Sequence, residues 1–233
     1  MVSRIRASLF AAWRRYILGN MRLYNYFRSS ASFRVRIALN LKGRAYEYVP
    51  IQLTKGEQKT PEFAALTAEQ LVPLLELDDG RRLTQSMAMI EYLDEAHPEP
   101  PLLPADSWGR ARVRALAQIV ACEIHPLNNL RVLKYLVHDL GVSDDNKNTW
   151  YKHWVRLGLE SFEAHLAAFP QSTYSHGEAP TLADCCLVPQ IFNAQRFDCD
   201  LTGLPRTMDV FETCMKLEAF QKAQPSACPD AQT

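Results

Sequence analysis

The sequence predicts two structural parts: an α/β first half built on a four-stranded mixed sheet, and an all-α second half. Three observations predict this. Strand-like and helix-like runs alternate between Met21 and Leu93, prolines cluster from Pro98 to Pro104, and no strand pattern follows Ala105. The chain has 233 residues, enough for one large domain or two small ones. The boundary is expected at 102/103, giving domains over 21–102 and 103–233.

The elements follow in order. Residues 1–20 carry four arginines and no acid, and their apolar run is too short to span a membrane. They are expected to be a loosely attached extension, either disordered or lying upstream of a start at Met21. The aromatic run Leu23-Tyr24-Asn25-Tyr26 has strand composition. Val35, Ile37, Ala38, Leu39 and Leu41 then recur at helical spacing, and Gly43 is a stop signal. Tyr46–Leu53 reads as a second strand; a one-helix crossover makes it parallel to the first. Thr60 caps a short helix with Pro61 at its first position. Asp79-Gly80 marks a hairpin, and Pro73 opens its first strand, where a cis bond is possible. Ser86 is an N-cap candidate for the amphipathic helix that ends before Pro98.

In the second half, helical periodicity runs from Trp108 to Leu140, interrupted at Pro126. A loop over Gly141–Asn146 leads to a helix from Trp150 to Phe169. Thr181 and Asp184 form a capping signature for a helix reaching about Phe197, distorted by Pro189. A last helix is expected from Met208 to Lys222, followed by a polar tail.

Composition excludes several function classes. Hydrophobic residues make up 47% and charged residues 22%, as in ordinary globular proteins. Lys plus Arg and Asp plus Glu are both 26, so no charge excess favours nucleic acid or a membrane surface, and self-association is permitted. The six cysteines all lie in the second half without metal-type spacing, and read as reduced thiols of a cytoplasmic protein. No phosphate loop or Ser–His–acid set is visible.

The stretch with most chemistry is Phe27-Arg28-Ser29-Ser30-Ala31-Ser32, between the first strand and the first helix. Hydroxyls and unpaired N–H groups meet there at the positive end of a helix dipole, which favours an anion. Read from spacing alone, Ser29 and Ser30 are either an anion site or simply helix caps.

Further along, the segment Ser29–Leu39 resembles the signature of zeta-class glutathione transferases, the class that includes maleylacetoacetate and maleylpyruvate isomerases. Leu71-Val72-Pro73 is similar to that family's cis-proline loop, Gln85-Ser86 to its γ-glutamyl contact, and the segment around Thr181–Gln190 to its helical domain. The resemblance covers about residues 21–229. It implies a thioredoxin-like first domain, an all-helical second domain, and glutathione as cofactor. The implied reaction is cis–trans isomerisation of a conjugated keto dicarboxylate, in which glutathione thiolate adds to the double bond, the bond rotates and the thiolate is expelled.

What the resemblance implies for single residues can be stated in this numbering. Ser30, with Ser29 beside it, partners the thiolate. Val72 (through its backbone), Gln85, Ser86 and Gln58 bind glutathione from the first domain, and His125, Asn129 and Leu130 from the second. Arg28 and Arg196 match arginine positions of the isomerases, and Arg131 adds a third cation for a dicarboxylate. For each arginine the alternative is a solvated surface charge; for His125 it is a capping position beside Pro126. Ala31 stands where zeta enzymes usually carry cysteine, so any sulfur working here must come from glutathione. Arg34 and Arg36 are expected to pair along the helix or at a dimer surface. The other readings are a general glutathione transferase acting on electrophiles and a non-catalytic binding module. A homodimer is expected from the resemblance.

Overall fold

The computed structural model describes residues 21–232, so the expectation for residues 1–20 lies outside the described residues. The chain divides into two compact units. The first runs to Pro100 and also takes in the segment from Lys222; the second is Pro101–Gln221.

In the first unit, β1 (Arg22–Asn25) leads through the serine turn into α1 (Ser30–Leu41) and then β2 (Glu47–Pro50). A short helix α2 (Pro61–Ala64) precedes the hairpin β3 (Leu74–Glu76) and β4 (Arg82–Leu83), and α3 (Ser86–Ala96) completes the set. The strand order is β2-β1-β3-β4. β1 pairs parallel with β2, with Leu23 opposite Tyr48, and antiparallel with β3, with Leu23 opposite Leu75. The crossover and the hairpin are thus as the sequence predicts. At the hairpin, Gly80 has φ 83°, the left-handed conformation that favours glycine, and its N–H closes the turn onto Leu77 O at 2.9 Å.

Helix α1 is buried on all sides, which bears on the expectation for its two arginines. Ser30 through Leu39 are all buried, including Arg34 and Arg36. Those arginines do not lie on an exposed face. Arg34 donates from Nη1 to Ser86 Oγ at 3.3 Å, joining α1 to the start of α3. At the far end of α1, the buried Lys42 ammonium bonds Asp94 Oδ1 at 2.6 Å and Pro100 O at 2.5 Å. Such a charge is tolerated only because its partners are fixed.

The second unit holds α4 (Ser107–Gln118), a π-helical turn over Ile119–Ile124, α5 (Leu130–His138), α6 (Asp144–Ala167), α7 (Leu182–Arg196), α8 (Pro205–Cys214) and α9 (Glu218–Gln221). The long helix predicted from Trp108 continues through the π turn and stops at His125, beside Pro126, before α5 begins. Gly158 of α6 packs on that turn: a Cβ there would sit 2.2 Å from Ile124 Cγ1, so only glycine fits without rearrangement. Helix α6 begins six residues before the predicted Trp150. Ser143 Oγ accepts the N–H of Asn146 at 3.3 Å, and Asp144 and Asp145 occupy the positive first turn. The predicted last helix is divided between α8 and α9. The tail from Lys222 groups with the first unit rather than with 103–221, because Arg36 and Asp230 tie it there.

Candidate active site

The register of the sheet decides which loops meet. β1 leaves the sheet at Asn25, and β2, parallel to it, leaves at the same end. β3 is antiparallel to β1 and enters there; β4 is antiparallel to β3 and leaves there. Four connections therefore gather at one end of the sheet: the serine turn, the loop carrying Gln58, the segment before β3, and Thr84-Gln85-Ser86. Tyr24 faces Leu74, so continuing the register brings Pro73 beside Asn25 and Val72 beside Tyr26. The Val72–Pro73 bond is cis.

The serine turn is built by short-range bonds. Ser29 N–H donates to Tyr26 O at 3.0 Å. Ser29 is extended (φ −70°, ψ 114°), and its Oγ accepts the N–H of Ser32 at 3.2 Å, so it is the N-cap of α1. An oxygen that accepts one bond keeps its own O–H to donate elsewhere. Ser29 is half-buried, whereas Ser30, the first helical residue, is 6% exposed. No acidic residue occupies the first turn of the helix itself. Ala31, in the same turn, is buried and contributes no nucleophile.

Arg28, one residue before the cap, is exposed. Its Nη2 donates to the Tyr26 hydroxyl at 2.9 Å, and its guanidinium lies 4.9 Å from the centre of the Phe27 ring. Two aromatic neighbours thus stiffen a long side chain while its other donors stay available. Ser86 opens α3, buried at 7% exposure, with its oxygen held by Arg34. Gln85 before it has φ 67°, a conformation rarely adopted by a non-glycine residue, which turns the chain sharply into the helix. Its amide reaches Glu69 Oε1 at 3.4 Å. Gln58 is half-buried in the short 3₁₀ turn Glu57–Lys59.

In the second unit, His125 follows the π turn and is half-buried, its Nε2 3.5 Å from Asn129 Nδ2. Asn129 is the N-cap of α5, its Oδ1 accepting the N–H of Arg131 at 3.1 Å. His125, beside Pro126, caps the C-terminal end of the π turn, its N–H donating to Val120 O at 2.9 Å, and Asn129 caps the start of the next helix. Leu130 and Arg131 are exposed at the start of α5. Arg196 is exposed at the end of α7, its guanidinium 4.6 Å from the Phe197 ring centre. Phe197 stacks on Tyr151 at 3.9 Å. Tyr151 also accepts, through its carbonyl, the Asn128 amide at 3.2 Å. Within this unit, Tyr151 thus links the chain beside His125 to the chain beside Arg196. Burial pushes the Tyr151 hydroxyl above its ordinary range, although Arg196 nearby opposes the shift.

Among the described residues no group of His, Cys, Asp or Glu is arranged to hold a metal ion, and no helix is long and apolar enough to cross a membrane. The fixed points that sequence reasoning missed are Arg34 on Ser86, Arg36 and Asp230 on Phe27 of the serine turn, and Tyr48 on Asp230.

The chain matches the family model for the N-terminal domain of glutathione S-transferase over residues 23–101, and that for the C-terminal domain over residues 140–218. It is 50% identical to a maleylpyruvate isomerase of Ralstonia sp over 213 residues, covering 91% of this chain and 100% of that protein. It is also similar to a holo structure of a bacterial maleylpyruvate isomerase of the zeta class, with a TM-score of 0.88, 50% identity, and coverage of 90% of this chain and 99% of that one. A third relative is the maleylacetoacetate isomerase of Anaeromyxobacter dehalogenans, solved with glutathione in its active site (TM-score 0.82, 45% identity, 91% and 98% coverage). The serine turn, the cis Val72–Pro73 loop and the helical second unit are thus parts of a known architecture: the chain belongs to the glutathione transferase family, in its zeta class.

Proposed function

We propose that this protein is a glutathione-dependent cis–trans isomerase of a maleyl-type keto dicarboxylate, maleylpyruvate or maleylacetoacetate. The observation that carries the proposal is the gathering of the serine turn, Val72–Pro73 and Gln85-Ser86 at one end of the sheet, with Arg28 exposed beside the caps. The donor set fits glutathione. The Val72 backbone can pair with a peptide as a short strand would. Gln85 and Ser86 offer polar groups at a helix start to the γ-glutamyl carboxylate, Gln58 serves the glycine end, and the Ser29–Ser30 hydroxyls hold a thiolate. When bound, glutathione supplies a thiolate that adds to the substrate double bond and is later expelled, allowing rotation between the two events.

The residues of this chain orient and stabilise. The serine turn lowers the cost of the thiolate by donating to it at a positive helix end. Arg28 binds a substrate carboxylate as a planar, partly preorganised cation, and Arg131 and Arg196 are the further cations proposed for the second carboxylate and the charge that develops on the keto oxygen. His125, Asn129 and Leu130 are proposed glutathione contacts of the helical unit. A homodimer in the cytoplasm is proposed with the same reading, to be checked by light scattering and cell fractionation.

The test is ultraviolet turnover of maleylpyruvate and maleylacetoacetate with and without glutathione. Isomerisation is expected only with glutathione, which is not consumed; turnover at full rate without it overturns the reading, and stoichiometric loss of glutathione points to conjugation instead. Arg28→Ala is expected to raise KM for the dicarboxylate roughly ten- to hundredfold, the worth of a charged hydrogen-bonding pair, while KM for glutathione moves much less. The reverse pattern would reassign Arg28 to glutathione.

A further inference from the structure

The C-terminal tail folds with the first unit as two short 3₁₀ turns, Pro225–Ala227 and Pro229–Gln232. Within it, Asp230 is 4% exposed. A carboxylate is not left buried without donors. Here Oδ2 accepts the backbone N–H of Phe27 at 3.2 Å, and Oδ1 accepts the Tyr48 hydroxyl from β2. Phe27 lies in the serine turn, two residues before the cap Ser29.

The carbonyl of the same residue is also taken. Phe27 O accepts Arg36 Nη2 at 3.0 Å. The remaining donors of Arg36 reach Asn25 Oδ1 at 3.0 Å and, through Nε, Ala223 O at 3.0 Å, which is again in the tail. Both backbone polar groups of Phe27 are therefore fixed by buried charged side chains, and one of these comes from 203 residues away. Charge-assisted bonds of this kind are shorter and stronger than neutral ones. Neither belongs to a strand or a helix, so no regular element would replace them. Burial and the Asp230 contact push the Tyr48 hydroxyl far above its ordinary range, so it stays a donor throughout the neutral region.

We propose that Asp230 is a positioning residue for the serine turn: by holding the Phe27 peptide it sets the direction in which Arg28 and Ser29 present their side chains. The catalytic consequence rests on the proposed function; the geometric claim does not. A small misplacement of catalytic groups costs rate steeply, whereas a tail that only sealed the core would affect stability alone.

The experiment compares Asp230→Ala and Asp230→Asn with the wild type, all as full-length chains. It reads backbone hydrogen exchange by peptide, melting temperature, and kcat and KM for isomerisation. Asp230→Ala is expected to speed exchange at residues 27–30 selectively relative to β1 and β3, and to lower kcat roughly ten- to hundredfold with a smaller change in KM for glutathione. Asp230→Asn is expected to fall between, because the amide keeps one acceptor oxygen, and it serves if the alanine variant folds poorly. Exchange that is unchanged at 27–30, or raised uniformly over the first unit, overturns the proposal. So does a normal kcat in a variant whose turn has become mobile. If the wild type has no isomerase activity, the proposed function fails, and the exchange pattern still decides whether Asp230 fixes the turn.

Discussion

Ser29→Ala is expected to lower kcat/KM for glutathione-dependent isomerisation by about two to three orders of magnitude, the usual worth of one preorganised donor to a developing or fixed anion. Ser29 accepts the Ser32 N–H at 3.2 Å, which orients its oxygen and leaves its proton to donate outward. It is half-buried at the mouth of the helix, while Ser30 is turned into the protein at 6% exposure. We therefore expect the larger loss at Ser29, although resemblance alone assigns the thiolate to Ser30. The companion variant Ser30→Ala decides this: a greater loss there returns the role to Ser30. Ser29→Ala also removes a helix cap, which costs about 1 kcal/mol and a few degrees of melting temperature. The two effects separate by titrating the thiolate absorbance of bound glutathione. A rate loss with an unchanged thiol pKa would assign Ser29 to capping alone.

The parts of the site legible in the sequence are those coded locally. A strand-to-helix turn with serines and a proline opening a hairpin strand each have signals within a few residues, and β1, α1 and β3 stand where those signals put them; Ser86, expected to cap α3, is instead its first residue, with Gln85 at the cap position. Asp144-Asp145 following Ser143 also carried a start signal, but their polarity reads equally well as loop. What was not legible depends on tertiary surroundings. Arg34 and Arg36 are two apart on a helix and so point to different sides, and nothing local tells that every side of α1 is covered. Only the fold shows that one arginine holds Ser86 and the other holds Phe27. The tail is polar and proline-rich, the usual mark of a loose end. That its Asp230 closes onto residues 27 and 48 is a contact across most of the chain, which no periodicity encodes. The packing of Ile124 of the π turn against Gly158 likewise joins residues 34 apart, which no local pattern encodes.

Asp184→Ala is expected to destabilise the helical unit by about 3–5 kcal/mol, the cost of removing the acceptor from a buried charged network. The carboxylate has no exposed surface. Its Oδ1 accepts the Ser175 N–H at 2.9 Å, and its Oδ2 accepts the Thr181 N–H at 2.7 Å and the Thr181 hydroxyl at 2.8 Å. Burial pushes its pKa up, and the hydrogen bonds from Ser175 and Thr181 offset part of that rise, so each donor lost leaves the desolvation less compensated. Alanine would leave three donors with no water to turn to, at the start of a helix whose residues 182–191 are all buried. The helix is also anchored there by Leu182 N–H on Leu102 O at 2.9 Å, so loosening its first turn disturbs the entry to the whole unit. Against a total stability of roughly 5–15 kcal/mol, such a loss lowers the melting temperature by about 10 °C or more and reduces soluble yield. Thr181→Ala, which deletes one donor and keeps the acceptor, should cost only about 1 kcal/mol. Urea unfolding midpoints of the two variants measure the difference. Equal small shifts would mean that Asp184 is no more than an ordinary cap, and that α7 is held by its apolar packing alone.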